Sequence, residues 1–249
     1  MLRRSLLTAL IFAILGAAAP AVAAEVKVAV AANFTEPAKQ IAQRFKARTG
    51  HDATLSAGSS GQFYAQIANG APFGVLLSAD RERPEKAEAE GLGVVGSRFT
   101  YAVGRLVLYS KTPGLVDAKG AVLKTGRFQK LAIADPKTAP YGAAAVETMT
   151  RLGVAQALAP KLVQGASIAQ AYQFVDTGAA ELGFVALSQV IGVKGGSRWI
   201  VPAANHSPID QQAVLLKTGA GNPAATAFMA FLKSAEAKAI IRRYGYEVR

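Results

Sequence analysis

Hydrophobic positions from residue 25 onward follow two periods in turn, one typical of strands and the other typical of helices. In residues 26–30 valines alternate with other side chains, as in a strand. Ala38, Ile41 and Phe45 share one face of a helix, and Gly50 ends it. The predicted strands of the first half are residues 26–30, 53–56 and 75–77, and the predicted helices are 38–45, 61–68 and 84–90. This order predicts a parallel sheet covered by helices.

The second half repeats this alternation with a different sequence. Its predicted strands are residues 131–134 and 182–186, and its predicted helices are 145–152, 168–175 and two segments at the end of the chain. Ser234 is the expected N-cap of the last helix, and Gly245 ends that helix. The chain therefore contains two similar α/β units.

Two stretches are candidates for connections between two lobes. They are a β-rich run at residues 99–110 and a second run at residues 211–216. If both cross, lobe one comprises residues 25–103 plus 215–249, and lobe two comprises residues 104–214. The carboxyl ends of the strands of both sheets would then face one crevice, where open α/β sheets bind their ligands.

The first 24 residues have the layout of a signal peptide. Arg3 and Arg4 are basic, residues 6–15 are apolar, and Ala21 and Ala23 supply the small residues of a cleavage site. We therefore expect a periplasmic protein without a membrane anchor. Two arginines are compatible with general export and with the twin-arginine route.

Composition and charge exclude several classes of protein. The chain has 249 residues, 51% of them hydrophobic, and no cysteine, which excludes a disordered chain, disulfides and thiolate metal sites. Removal of residues 1–24 leaves 26 basic and 16 acidic residues, a net charge of +10. The basic residues are scattered, so no nucleic-acid partner is predicted. Motifs of the G-x-S-x-G and H-E-x-x-H types are absent, and no catalytic residue, enzyme activity or cofactor is predicted.

Four short polar turns stand directly before predicted helices, and none of them contains a charged residue. They are AANF at 31–34, GSSG at 58–61, APYG at 139–142 and GASI at 165–168. Helix N-termini expose unpaired N–H groups at the positive end of the helix dipole, so several of them around one crevice would bind an anion. Asn33, Ser60 and Tyr141 add side-chain donors. Ile168 would contribute only its backbone N–H.

Each of these residues also has a simpler structural interpretation. Asn33 and Ser60 stand where ordinary helix N-caps stand. Tyr141 can be a packed aromatic residue, and the Ile168 side chain fits the apolar face of a helix. The residues alone therefore leave both interpretations open.

Several segments that are weak signals singly occur together in a specific order and spacing. They are AVAANFTEPAKQIAQRFKARTG, SAGSSGQFYAQIANGAPF, LSAD, ADPKTAPYG, ELGFVAL and IIRRYGY. In this order the mature chain resembles the periplasmic molybdate-binding proteins of ABC transporters. The resemblance implies an α/β fold, a two-lobe periplasmic binding protein clamp of type 2. Each lobe would be a mainly parallel sheet flanked by helices, with two crossover strands joining the lobes.

The resemblance also implies four ligand positions, which bind the metal oxyanion through its oxygens. They fall on Asn33, Ser60, Tyr141 and, through its amide, Ile168. The commoner family pattern has Ser in place of Asn33, a small residue in place of Tyr141 and a ligand Tyr where this chain has Ala186. This chain resembles the subgroup with Asn and an earlier Tyr. Whether the Tyr141 hydroxyl or amide binds stays open.

The expected function is therefore that of a receptor that holds molybdate, and equally tungstate, between its lobes. It would act as a monomer and deliver the ion to the membrane permease of an ABC transporter. A site made only of donors favours a fully deprotonated dianion, because the proton of phosphate would need an acceptor. The alternatives are another oxyanion such as sulfate, an organic acid, or an enzyme on the same fold that acts on a small carboxylate.

Overall fold

The structure is a computed structural model that describes residues 23–248, so residues 1–22 of the predicted signal peptide lie outside it. Ten strands form two five-stranded sheets in this part of the chain. The strands are β1 (Glu25–Ala31), β2 (Asp52–Gly58), β3 (Val75–Leu77), β4 (Phe99–Gly104), β5 (Leu106–Ser110), β6 (Leu131–Ala134), β7 (Leu162–Gly165), β8 (Leu182–Ala186), β9 (Ser197–Ile200) and β10 (Ile209–Leu215).

Ten α-helices and four short 3₁₀ turns accompany the sheets in the described residues. The helices are α1 (Thr35–Thr49), α2 (Ser60–Ala68), α3 (Glu82–Ala89), α4 (Val122–Thr125), α5 (Pro140–Arg151), α6 (Ala155–Leu158), α7 (Ile168–Asp176), α8 (Leu187–Val190), α9 (Pro223–Leu232) and α10 (Ala235–Arg243). The 3₁₀ turns are Ala32–Phe34, Ala159–Lys161, Ala203–Asn205 and Lys217–Gly219. Across residues 23–248, no helix has both the length and the apolar character that spanning a bilayer requires.

Both sheets are mixed, and each has four strands in one direction and a single strand in the opposite direction, as expected for mainly parallel sheets. The first has the order β2-β1-β3-β10-β4, with β1 parallel to β2 and β3, and β10 antiparallel to β3 and β4. The second has the order β7-β6-β8-β5-β9, with β6 parallel to β7 and β8, and β5 antiparallel to β8 and β9. The antiparallel pairs all involve the strands that carry the chain into or out of a lobe. The two-lobe α/β clamp itself is confirmed.

The chain passes between the lobes at Arg105 and again at residues 201–208. The first passage lies within the predicted stretch 99–110, since β4 belongs to the first sheet and β5 to the second. The second passage was expected at residues 211–216, with lobe two ending at 214. Those residues instead lie in β10 or directly after it, and β10 pairs with β3 and β4 of the first sheet. By sheet membership, the described part of lobe one holds residues 25–104 and 209–248, and lobe two holds residues 106–200.

The predicted amphipathic pattern is present in the cores of both lobes. In lobe one, Ile41 and Phe45 of α1 are fully buried, and Phe45 meets Phe228 of α9 edge to face, with ring centroids 5.3 Å apart. Helix α1 ends at Gly50, which adopts a left-handed conformation (φ 74°), as predicted. Ser234 caps α10 by accepting a hydrogen bond from the Ala237 N–H, as also predicted.

Strand register places the turns that follow the strands next to each other. In lobe one, the last residue of β1, Ala31, pairs with the last residue of β2, Gly58. In lobe two, the last residue of β6, Ala134, pairs with the last residue of β7, Gly165. Because paired parallel strands end at the same level, the segments that follow them begin side by side. Each lobe therefore presents two of the four polar turns at one sheet edge.

Candidate anion-binding site

A small cavity lies between the lobes at these sheet edges. The volume in which the centre of a water molecule fits is about 10 Å³. Its lining residues come from both lobes. Lobe one contributes Ala31, Ala32, Asn33, Gly58, Ser59, Ser60 and Ala79, and lobe two contributes Ala139, Pro140, Tyr141 and Ile168. The structure thus brings together all four residues predicted from the sequence. The space is about that of one small molecule or ion and is far below that of a drug-sized ligand pocket.

Each of the four residues lies in the first turn of a helix. Asn33 belongs to the 3₁₀ turn that leads into α1, Ser60 is the first residue of α2, and Ile168 is the first residue of α7. Tyr141 follows Pro140 at the start of α5. The N–H groups of a first turn have no intrahelical acceptor, and Pro140 has no N–H, so the N–H of Tyr141 is the first donor of its helix. Four helix starts therefore direct positive dipole ends towards the cavity.

The Asn33 side chain is engaged by protein acceptors in this structure. Its Nδ2 lies 2.9 Å from Gln211 Oε1 and 2.9 Å from Tyr246 Oη, so both amide hydrogens have partners. The backbone carbonyl of Asn33 accepts hydrogen bonds from Tyr246 Oη and Ser188 Oγ, each at 2.8 Å. These contacts fix the turn that carries the Asn33 N–H. Before the side-chain amide can donate to a ligand, it has to release one of its present acceptors.

The hydroxyl of Tyr141 also points into the protein's own hydrogen-bond network. Tyr141 is fully buried, and its Oη accepts a hydrogen bond from Gln211 Nε2 at 3.2 Å. Burial raises the pKa of Tyr141 well above the ordinary tyrosine value, and the nearby hydroxyls of Tyr246 and Tyr101 raise it further. The hydroxyl is thus engaged with Gln211 and Tyr246, whereas the backbone N–H of Tyr141, at the start of α5, has no intrahelical acceptor.

The two serines of the GSSG turn differ in their hydrogen bonds. Ser60 Oγ accepts a hydrogen bond from the Ala79 N–H at 2.9 Å, which leaves its hydrogen available for another acceptor. Ser59 is buried, and its Oγ has no hydrogen-bond partner among the described residues. Although Ser59 is the N-cap of α2, its side chain does not cap the helix. A buried hydroxyl without a partner is costly, so an acceptor from a ligand would stabilise it.

Ser59 was not among the ligand positions predicted from the sequence. The signal that could have found it is the pair of adjacent serines in one turn, either of which can be the N-cap. At the matching turn of lobe two, Ser167 behaves as an ordinary cap, because its Oγ accepts from the Gln170 N–H. The Ser167 hydroxyl therefore has a structural role as a helix cap, whereas the Ser59 hydroxyl has no such role.

Ile168 combines a packed side chain with a free amide. Its side chain is buried in the core of lobe two, as predicted for an apolar helix face. Its carbonyl accepts a hydrogen bond from Gln189 Nε2 at 3.1 Å, which holds the start of α7 in place. Only the N–H of this residue can reach a ligand without repacking the core.

No Asp, Glu, His, Lys or Arg is among the cavity-lining residues. The nearby Asp80 and Arg83 form an ion pair with each other, and they line a separate, larger opening between the lobes. In residues 23–248, no group of three or more acidic or histidine side chains is placed to hold a metal ion. The site is therefore neutral, with no charged side chain to balance a ligand charge and no carboxylate acceptor.

The lobes touch each other beside the cavity. The Gly61 N–H of α2 donates to the Thr138 carbonyl of lobe two at 2.9 Å, and Arg83 Nη2 donates to the Lys137 carbonyl at 3.1 Å. Ser188 of lobe two donates to the Asn33 carbonyl, as described above. These bonds between the lobes describe a closed cleft.

The fold and this site define a class of protein, a two-lobe receptor that encloses a small solute between its lobes. The chain matches the bacterial extracellular solute-binding proteins over residues 26–247 and belongs to that family. Its place of action is therefore outside the cytoplasm.

Similar proteins are known in several bacteria. The chain is 61% identical over 233 residues to the molybdate-binding protein ModA of Rhodobacter capsulatus, covering 94% of this chain and 92% of the relative. It is 59% identical to a molybdate-binding protein ModA of Azotobacter vinelandii, with 92% of both chains covered. In structure it resembles the periplasmic molybdate-binding protein of Azotobacter vinelandii, with a TM-score of 0.88 and 44% identity, covering 90% of this chain and 99% of that one.

The contact between the lobes at Gly61 leaves no room for a side chain at this position. A Cβ atom at this position would lie 2.9 Å from Thr138 Cα and 3.0 Å from its carbonyl oxygen. We predict that Gly61→Ala weakens anion binding by about tenfold or more through this overlap. Because Ala favours helix over Gly by about 0.5–1 kcal/mol, the ligand-free protein should be no less stable. Titration calorimetry and thermal unfolding measure the two effects.

The matched control is Gly221→Ala, since a Cβ at Gly221 meets open space. It should bind the anion like the unchanged protein. If Gly61→Ala binds equally tightly, the contact between Gly61 and Thr138 does not form in the ligand-bound state.

Proposed function

We propose that this protein is the periplasmic receptor that captures molybdate between its lobes and delivers it to the permease of an ABC transporter. The observation that carries the proposal is the neutral cavity formed by four helix starts, two from each lobe. The names of the relatives with 61% and 59% identity support the same ligand. We expect a monomer, with no cofactor and no enzyme activity.

The chemistry of the cavity favours a fully deprotonated tetrahedral dianion. The polar groups available to a ligand there can all donate, namely the N–H groups of the helix starts and the hydroxyls of Ser59 and Ser60, and the lining has no carboxylate to accept a ligand proton. Phosphate carries a proton near neutral pH, and a buried proton without an acceptor costs binding energy. Molybdate and tungstate bring only acceptors. Their similar size predicts similar affinity for both ions.

The number of donors is sufficient for tight binding. Hydrogen bonds to a charged group contribute about 1.5–3 kcal/mol each, so six of them would give about 9–18 kcal/mol before costs. Association and ordering oppose binding by about 4–15 kcal/mol. The balance is consistent with a sub-micromolar dissociation constant, which corresponds to about 8 kcal/mol or more.

The alternative functions would need groups that the lining does not supply. An enzyme acting on a small carboxylate needs a general acid or base at the reacting atoms, and a receptor for organic acids usually has an arginine clamp. The lining has neither kind of side chain. Sulfate has the same charge as molybdate but is smaller, so the size of the closed cavity has to discriminate between them.

An oxyanion series tests the proposal. We predict that molybdate and tungstate raise the unfolding temperature of the purified protein by a similar amount, because ligand binding to the folded state stabilises it. Sulfate should have a smaller effect, and phosphate and small carboxylates should have almost none. Thermal-shift measurements at equal ligand concentrations give the comparison. Stronger stabilisation by a carboxylate or by phosphate would overturn the molybdate assignment.

Serine substitutions test the donor assignment. Ser60→Ala and Ser59→Ala each remove one charge-assisted hydrogen bond, so we predict molybdate affinity about 10–100-fold lower for each. Ile168→Ala keeps the N–H and should change affinity much less. Titration calorimetry of the three variants measures these effects. An equal, large loss for Ile168→Ala would mean that its side chain, and not its amide, determines binding.

The protonation states of the buried tyrosines predict that the affinity for molybdate hardly changes with pH. Burial raises the pKa of Tyr246 to about 12 and holds the pKa of Tyr141 and Tyr101 well above the ordinary value. These hydroxyls therefore stay neutral below about pH 10, and phenolate charge would weaken anion binding only above that range. We predict that molybdate affinity changes less than about twofold between pH 7 and 9. Calorimetry across this range would contradict the prediction if affinity followed a group titrating near pH 8.

A further inference from the structure

Gln211 contacts two residues that line the cavity, and it belongs to β10, the strand that returns the chain to lobe one. It is fully buried in β10, and the pairing of β10 with β4 shifts register between Gln211 and Gln212. Such irregularities in a strand often aim a side chain at a functional site. In this case the irregularity separates two adjacent glutamines with different surroundings.

One amide group of Gln211 connects residues of both lobes. Its Oε1 accepts hydrogen bonds from Asn33 Nδ2 at 2.9 Å and from Tyr101 Oη at 3.1 Å. Its Nε2 donates to Tyr141 Oη at 3.2 Å. Asn33 belongs to lobe one and Tyr141 to lobe two, so Gln211 links two helix starts that line the cavity from different lobes.

The connection depends on a close approach at the passage between the lobes. A Cβ at Gly104, the last residue of β4, would overlap Tyr141 Oη and lie 2.7 Å from Gln211 Nε2. Glycine at position 104 thus leaves room for the bond between Gln211 and Tyr141. That bond crosses from one lobe to the other.

We propose that Gln211 is a positioning residue that holds Asn33 and Tyr141 in the closed arrangement and thereby sets the lifetime of the bound oxyanion. This inference rests on the proposed function. A neutral amide suits the position, because it offers an acceptor to Asn33 and a donor to Tyr141 without placing charge beside an anion. An apolar side chain of similar size would leave both partners short of a hydrogen bond when the lobes close.

Gln211→Met and Gln212→Met form a matched pair of variants. Gln212 is also buried in β10, but its amide contacts Arg98 Nη1 and Thr100 Oγ1 and not the site residues. We expect Gln211→Met to release molybdate about tenfold faster, with an association rate within about threefold of the unchanged protein. Gln212→Met should leave both rates nearly unchanged. Stopped-flow association and filtration of protein loaded with labelled molybdate give the two rates.

Tyr141→Phe provides a second route to the same conclusion if Gln211→Met does not fold. It removes only the hydroxyl that Gln211 contacts, and it should also speed release. In the double variant, the effects should be less than multiplicative, because both changes remove one shared bond. Equal release rates for Gln211→Met and Gln212→Met would overturn the inference. So would unchanged release from Tyr141→Phe, or fully multiplicative effects in the double variant.

Failure of the inference is distinguishable from failure of the proposed function. If the unchanged protein does not bind molybdate, the proposed function fails before any variant is compared. If it binds molybdate and the glutamine variants release it at equal rates, only the role of Gln211 is refuted. Thermal unfolding of the ligand-free variants checks that a faster release does not come from a destabilised lobe.

Discussion

The architecture depends on one constraint, that a buried anion must find donors as soon as it leaves water. A charge inside a protein is strongly unfavourable unless hydrogen bonds replace its hydration. The cavity of this protein offers N–H groups at the starts of helices and the hydroxyls of Ser59 and Ser60, and such donors need no cationic partner. The two sheets supply them in pairs, because the ends of β1 and β2 and the ends of β6 and β7 lie at matching levels. The fold thus provides the donors through strand register.

Because backbone N–H groups act as donors, the geometry of the turns that carry them determines which ligand fits. Pro140 removes one N–H and begins α5 so that the Tyr141 N–H is the first donor. Ile168 is held by its buried side chain and by the bond from Gln189 to its carbonyl. Asn33 is held by Tyr246, Ser188 and Gln211. Side chains at this site therefore act partly as supports, and a substitution in a support can change binding without removing a donor.

The sequence predicted the local features well and the pairing of distant segments less well. Residues 131–134 and 182–186 were predicted as strands with the bounds that the structure has, because apolar runs between turns are local signals. The polar turns were identified because helix starts have a compositional signature. The return passage was misplaced, because the sequence of β10 carries no information about which sheet it joins. Ser59 and Gln211 were missed because their significance comes from partners that are present or absent only in the folded chain.

Different groups in this protein attract the ligand and recognise it: charged residues outside the cavity attract it, and neutral groups in the cavity recognise it. Without the predicted signal peptide the chain has a net charge of +10, yet no basic side chain lines the cavity. Charges outside the cavity attract any anion over about 8 Å at physiological salt, which raises encounter rates without selecting among ions. An arginine in the cavity would hold phosphate and carboxylates as well as metal oxyanions. Neutral donors in fixed positions select instead by shape and by the absence of a ligand proton, so a basic protein with an uncharged site combines fast capture with discrimination.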